Sequence, residues 1–277
     1  MKTFGTYDGE PFDELPVSLH RETIREFFQE ELKDIMPFED FGEMMHDYNR
    51  YMGRSARKFD SRYYKKLAQT DREKVRREVA QEYKKLFNWM GKREAAFVGY
   101  SNVEEGAQFL EMIADSVEED DRVIVDNGCG SGLHMTALAR LFPDKRFIGI
   151  DISDVLIDIA KELADKYALS NCEFLAMDRA DAPFEDNSVD VLYIKSGLAE
   201  VSLAPFLEEE KNEDGVALDL IESTVRNYRM LKPGGVLLTF QHVHGKIGRE
   251  TPHFTYESSV YWGDPRHDFN VSICYRK

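Results

Sequence analysis

The sequence predicts a doubly wound α/β protein. A mostly parallel sheet is layered with helices, ends in an antiparallel C-terminal hairpin and is preceded by a helical N-terminal cap. Three observations carry that prediction. After residue 118, short β-branched runs alternate with helix-length amphipathic segments, and parallel strands need such crossovers. A glycine-rich turn, "VIVDNGCGSGLHMTALAR" from Val123 to Arg140, joins a strand directly to a helix. Before residue 118 the chain reads as helices throughout.

Taken in order, Ser18 is placed to cap a helix running to about residue 35. Leu19, Ile24, Phe27, Phe28 and Leu32 form its apolar stripe, and Pro37 follows it. Residues 39–52 and 60–69 carry weaker helical patterns. Thr70 with Glu73 matches a capping box that opens a helix to about Met90, and residues 103–117 form another. The texture then changes. "RVIVD" is a strand, the glycine turn follows and "LHMTALARLF" is helical. "RFIGID" is the second strand, and "SDVLIDIAKELADKYA" is a helix with Ser153 as N-cap. "CEFLAMD" and "VDVLYIKSG" are the third and fourth strands, "DGVALDLIESTVRNYRML" is a helix, and "GGVLLTFQH" is the fifth strand after a Pro-Gly-Gly turn. Two last strand-like runs flank "GDPRHD", a turn-rich hairpin signal. The expected division is a cap over residues 1–117 and a sheet domain over 118–277.

Bulk properties narrow the class. No apolar run among the 277 residues approaches the roughly 20 needed to cross a bilayer, so no membrane partner is expected. The first residues lack the apolar core of a signal peptide, which predicts a cytoplasmic protein. Cys129, Cys172 and Cys274 are too scattered for a disulfide framework or a zinc site and read as reduced thiols. The net charge of −16 opposes a phosphate backbone and disfavours nucleic acid as a partner. That charge is uneven: residues 46–95 hold 15 Lys and Arg against 7 Asp and Glu. Such a stretch suits a solvated helical face better than a basic lid over an anionic substrate.

The glycine turn lies where open α/β sheets bind ligands, at the carboxyl end of a strand. Gly128, Gly130 and Gly132 leave backbone amides approachable at a helix N-terminus. A dinucleotide fingerprint would need a third glycine at Leu133, and no Walker lysine follows. The next strand ends in Asp151, whose carboxylate suits ribose hydroxyls and repels a 2′-phosphate. At the third strand end, Asp178 suits an adenine amino group, with the Arg179 amide facing a ring nitrogen. Read alone, the glycines equally suit tight packing, and Asp151 a helix N-terminal charge.

The ordered set "VIVDNGCGSG", "IGIDIS", "MDRADAPFEDNSVDVLYIKSGL" and "LKPGGVLLTF" resembles the class I S-adenosylmethionine-dependent methyltransferases. The likeness covers residues 118–241 well, the last 36 loosely and the first 100 hardly at all. It implies a Rossmann-like fold with S-adenosylmethionine laid across the strand ends. The implied cofactor-binding residues are Asp126, Gly128, Cys129, Gly130, Gly132, Asp151, Ile152, Met177, Asp178, Arg179, Lys195 and Ser196. Gly128, Gly130 and their loop would hold the methionine part, with Asp126 near its amino group. Asn127 departs from the usual aliphatic residue, and "VHGKIGRETPHF" lacks the family's usual helix.

Methyl transfer from a sulfonium is an in-line displacement, so orientation and water exclusion dominate. A helical cap suits that task, and Tyr48, Tyr51 and Tyr64 are its candidate substrate-binding residues, although core packing of such aromatics is the commoner role. The fourth strand opens into "KSGL", not the Asp/Asn-Pro-Pro-aromatic element of many amide and amino methylases. Lys195-Ser196 and Gln241-His242 stand where a metal-dependent type needs carboxylates, so no catalytic metal is expected. A small-molecule acceptor at O, N, S or C remains. His242 and His244 follow the fifth strand as candidate proton acceptors, only one of which can face the site. His134 reads as structural, and the acidic run "FLEEEKNEDG" as a solvated insertion. Rival readings are an RNA or protein methylase docking through residues 46–95, and a non-catalytic cofactor-binding module. Homodimerisation stays open.

Overall fold

A computed structural model describes residues 6–7, 10–11, 19–35, 70–89, 103–178, 181–195, 229–243, 255–263 and 269–277. The β-branched runs form the strands expected of them. A two-residue ladder, β1 (Thr6–Tyr7) with β2 (Glu10–Pro11), opens the chain, followed by α1 (Arg21–Ile35), α2 (Arg72–Trp89) and α3 (Val103–Ser116). Then come β3 (Val123–Asn127), α4 (Leu133–Leu141), β4 (Arg146–Asp151), α5 (Asp154–Lys166), β5 (Cys172–Ala176) and β6 (Val189–Lys195). Three strands close the sheet: β7 (Leu231–Val243), β8 (Thr255–Gly263) and β9 (Phe269–Arg276).

Strands β3 to β9 form one seven-stranded sheet in the order β5-β4-β3-β6-β7-β9-β8. The first five are parallel, and β9 runs antiparallel to both β7 and β8. The chain starts at β3, winds outward to β5, then returns to β6 on the other side of β3. That reversal makes a crevice at the carboxyl ends of β3 and its neighbours, the place where such sheets take ligands.

Local chemistry accounts for the helices that frame this crevice. In α4, every residue from Leu133 to Ala139 is buried, which a nine-residue helix tolerates only when wedged between layers. α5 is amphipathic, burying Leu156, Ile157, Ala160, Leu163 and Ala164. Ser153 caps it as expected, its Oγ accepting from Leu156 N at 3.3 Å. The cap of α2 differs from expectation. Asp71 Oδ1 accepts from Lys74 N at 3.0 Å, so α2 starts one residue later than a Thr70 capping box would place it. Leu19 also departs from its assigned stripe: it lies in the turn before α1 and is 96% exposed.

α1 and α3 contribute to the same buried cluster as the sheet. Ile24, Phe27 and Phe28 of α1 join Phe109, Leu110 and Ile113 of α3, with Phe147, Tyr193 and Phe240 of the strands. Two enclosed carboxylates fasten α1: Arg21 Nε donates to Glu111 Oε2 at 2.8 Å, and Lys166 Nζ to Glu31 Oε1 at 2.9 Å. The Tyr167 hydroxyl also donates to Glu31. The Arg140 guanidinium stacks between Phe27 and Tyr167, 5.1 and 4.4 Å from their ring centroids.

The expected Pro-Gly-Gly turn is absorbed into β7. Val189 faces Leu231 and Val191 faces Val236, so Lys232–Gly235 bulges out of the ladder. Gly235 permits the bulge, because a Cβ there would lie 2.9 Å from Asp190 O. Cys129, Cys172 and Cys274 are free thiols. No helix among the described residues is long and apolar enough to cross a membrane.

Candidate cofactor and active site

The site is built from the glycine turn outward. Gly128, Gly130 and Gly132 adopt φ of 101°, 55° and 72°, the left-handed region that a side chain disfavours. Their roles differ. A Cβ on Gly132 would lie 2.6 Å from Ala160 Cβ and 2.9 Å from Phe174, so this glycine lets α4 close on α5 and β5. A Cβ on Gly130 would meet nothing within 4 Å, which leaves open space over the middle of the turn. Gly128 N and Cys129 N both donate to Ile150 O, at 2.8 and 2.9 Å, tying the turn to β4. The Cys129 side chain points inward: its Sγ would lie 2.9 Å from a Cβ on Gly149, and burial pushes its thiol pKa well up.

Asp151 closes the turn from the β4 side. Its Oδ2 accepts from Gly130 N at 3.0 Å and its Oδ1 from Ser153 N at 2.9 Å. Loss of hydration raises its pKa, and the backbone donors, led by Ser153, oppose that shift. Asp151 O accepts from Met177 N at 2.9 Å, which carries the rim across to β5. Asp178 follows, half-buried, its carbonyl accepting from Asp181 N at 2.9 Å. Ile152 is half-buried beside Asp151.

Asp126 stands on the other side of the turn in a different environment. It is buried and paired in register with Tyr193 of β6. Burial pushes its carboxyl up to about 8; the Tyr193 hydroxyl and the Lys195 charge counteract this, and Asp151 reinforces it. The Tyr193 hydroxyl lies against Asp126, yet neither it nor Asp126 Oδ1 makes a hydrogen bond of ordinary geometry. Burial and this carboxyl together raise the phenol pKa far above its usual value.

Lys195 ends β6 with its Nζ 3.2 Å from His134 Nε2 and 5.8 Å from the Phe240 ring centroid. An ammonium has only donors, so His134 Nε2 accepts and the ring proton sits on Nδ1. Burial, then the lysine charge, holds His134 neutral well below its usual range. This contact joins the first turn of α4 to β6 across 61 residues. His134, which reads as structural in the sequence, lies buried in the first turn of α4, two residues after Gly132.

The fold therefore brings Asp126, Gly128, Gly130, Asp151, Ile152, Met177, Asp178 and Lys195 to one rim. Arg179, Ser196, His244, Tyr48, Tyr51 and Tyr64 lie outside the described residues. The His242 backbone lies near the carboxyl end of β7, opposite Asn270 of β9. The donor set fits a cationic nucleoside. Gly130 leaves room for it, Asp151 offers carboxylate acceptors at a strand end, and Asp126 on the neighbouring strand keeps a buried oxygen with no hydrogen-bond partner.

A family model described as "Methyltransferase domain" matches residues 118–270. A tRNA (guanine-N(7)-)-methyltransferase from Pediococcus pentosaceus is 30% identical over 94 residues, 33% of this chain and 44% of that protein. An rRNA N(6)-adenosine-methyltransferase from Caenorhabditis elegans is 26% identical over 133 residues, 48% of this chain and 57% of that protein. A demethylmenaquinone methyltransferase from Lactococcus lactis is 30% identical over 122 residues, 44% of this chain and 42% of that protein. The chain thus spans about half the length of the curated relatives it matches.

Proposed function

This chain belongs to the methyltransferase-domain family, with S-adenosylmethionine as its cofactor, and from that premise we propose that it methylates a small-molecule acceptor by in-line displacement. The observation that supports this acceptor class is the net charge of −16, which opposes docking of a polyanion. The bound cofactor supplies a sulfonium-activated methyl group and a good leaving group. The protein's share is binding, alignment and exclusion of water.

In this reading Asp151 takes the ribose hydroxyls, and Asp178 with Arg179 takes the adenine edge. Asp126 faces the ammonium of the methionine part, while Gly128 and Gly130 let that part approach the backbone. His242 or His244 takes the proton that a hydroxyl or carbon acid loses on methylation. The helices before residue 118 serve as the substrate-access segment, where Tyr48, Tyr51 and Tyr64 contact the acceptor. The test is a screen of metabolite extracts for enzyme-dependent release of S-adenosylhomocysteine, with a product one methyl heavier. Turnover in His242→Ala and His244→Ala checks the base: activity unchanged in both removes it from the reading.

A second reading has its own support. Two of the relatives named above act on RNA, and residues 46–95 carry the basic excess. If the acceptor is RNA, activity disappears on ribonuclease treatment and falls steeply with salt. A small-molecule methylase keeps its activity under both.

A further inference from the structure

α2 reaches the rim through its last turn. Asn88 Oδ1 accepts from Ser153 Oγ at 2.9 Å, while Asn88 Nδ2 lies 3.4 Å from Asp154 Oδ2. Lys84 Nζ adds an ion pair to Asp154 Oδ2 at 2.9 Å, and Phe87 packs against the buried Leu156. Ser153 is fully buried and committed on every side. Its hydroxyl hydrogen goes to Asn88, its oxygen caps Leu156 N, and its N–H goes to Asp151 Oδ1. Asp151 Oδ2 in turn holds Gly130 N. Four residues from three separate parts of the chain therefore form one line of hydrogen bonds: Asn88, Ser153, Asp151, Gly130.

We propose that Asn88 is a positioning residue that couples docking of α2 to binding at the ribose carboxylate. The inference rests on the cofactor site described above and adds to it a residue from the segment upstream of the sheet. The physical reason is the single hydrogen on the Ser153 hydroxyl. With Asn88 in place, that hydrogen is directed away from Asp151 and the serine is locked, so the Asp151 carboxylate keeps one orientation. When α2 leaves, the buried hydroxyl loses its acceptor and reorients, and the loop carrying Asp151 loosens with it. Coupling of this kind is reciprocal: a ribose that orders Asp151 must favour the docked helix to the same extent.

The experiment uses hydrogen exchange of the α2 amides with three probes: S-adenosylhomocysteine, adenosine and L-methionine. S-adenosylhomocysteine and adenosine should slow exchange in residues 80–89, and L-methionine should not, because only the first two carry the ribose. Calorimetry should find S-adenosylhomocysteine bound roughly 3- to 10-fold more weakly by Asn88→Ala, the range of one lost hydrogen bond. The Lys84→Ala control cuts the surface ion pair alone and should bind as the parent does. Unchanged affinity in Asn88→Ala, with thermal unfolding showing it folded, overturns the coupling. So does S-adenosylhomocysteine binding to the parent without protecting α2. If the parent binds no S-adenosylhomocysteine, the cofactor site itself is refuted and this inference falls with it.

Discussion

Asp126 and Asp151 lie at the carboxyl ends of neighbouring strands, two register steps apart across the β3–β4 ladder, yet they sit in different electrostatic settings. Asp151 is held by two backbone amides, from Gly130 and Ser153. Asp126 is enclosed among Tyr193, the turn and the β6 strand, keeps an unsatisfied oxygen, and has its carboxyl pushed up to about 8. Burial raises both, but only Asp151 is held by backbone donors aimed at the charged form. A carboxylate fixed in this way suits neutral hydroxyl donors, whose position it defines. A carboxyl without backbone donors suits a cation, which supplies the missing charge itself.

The largest expected effect breaks the Asp151 side. Asp151→Ala removes the charge-assisted acceptors for the ribose and the tether to Gly130. Two such bonds are worth about 2–4 kcal/mol together, roughly 30- to 1,000-fold in affinity for S-adenosylhomocysteine by calorimetry. Unchanged affinity would remove Asp151 from the site.

The glycines between the two carboxylates give the next test. Gly132→Ala places a Cβ 2.6 Å from Ala160 Cβ at a positive φ, so denaturant unfolding should show a loss of about 2–3 kcal/mol. Gly130→Ala meets no atom within 4 Å and should lose only about 1 kcal/mol of stability, for its φ alone. Its added methyl enters the open space, so binding should suffer more than folding. The reverse pattern would mean that Gly130 serves packing and Gly132 the ligand.

The Asp126 side is tested through pH. Its folded pKa of about 8 exceeds the ordinary 3.8, so between those values the empty folded protein holds a proton that the unfolded chain has lost. The resulting penalty is absent below about pH 4, grows as pH rises and is complete above about 8. The melting temperature of the empty protein should therefore fall between pH 6 and 9, and Asp126→Asn should flatten that fall. Cofactor binding near pH 7 should release close to one proton as the cation restores the carboxylate. Calorimetry in buffers of different ionisation enthalpy reads this directly, and Asp126→Asn should release none. Equal proton release by both proteins would assign the proton elsewhere.

Much of this rim was legible in the residues because its parts are local. The order of strands along the chain, the glycine spacing and the Ser153 cap follow from patterns a few residues long and appear where those patterns predict, although β5 ends at Ala176, two residues before Asp178. Local competition misled the reading at three points. Asp71 takes the cap from Thr70 because it stands next to the helix. Leu19 falls in a turn, where periodicity has no meaning. The Lys-Pro-Gly-Gly run reads as a turn but bulges within β7, because β6 pairs on both sides of it.

The sequence by itself determined the strand–helix alternation, the turn that joins β3 to α4 and the acidic residues near the carboxyl ends of β3 and β4. These depend on backbone sterics and hydrophobic period, which each segment carries within itself. Only the tertiary structure decided that α1 shares the core of the sheet, that His134 meets Lys195 and that Asn88 meets Ser153. Those contacts span between 61 and more than 100 residues, and no local pattern encodes them. It also decided that two aspartates alike in sequence sit in different electrostatic settings, because the pKa of a carboxyl depends on the donors around it and on how much water packing leaves.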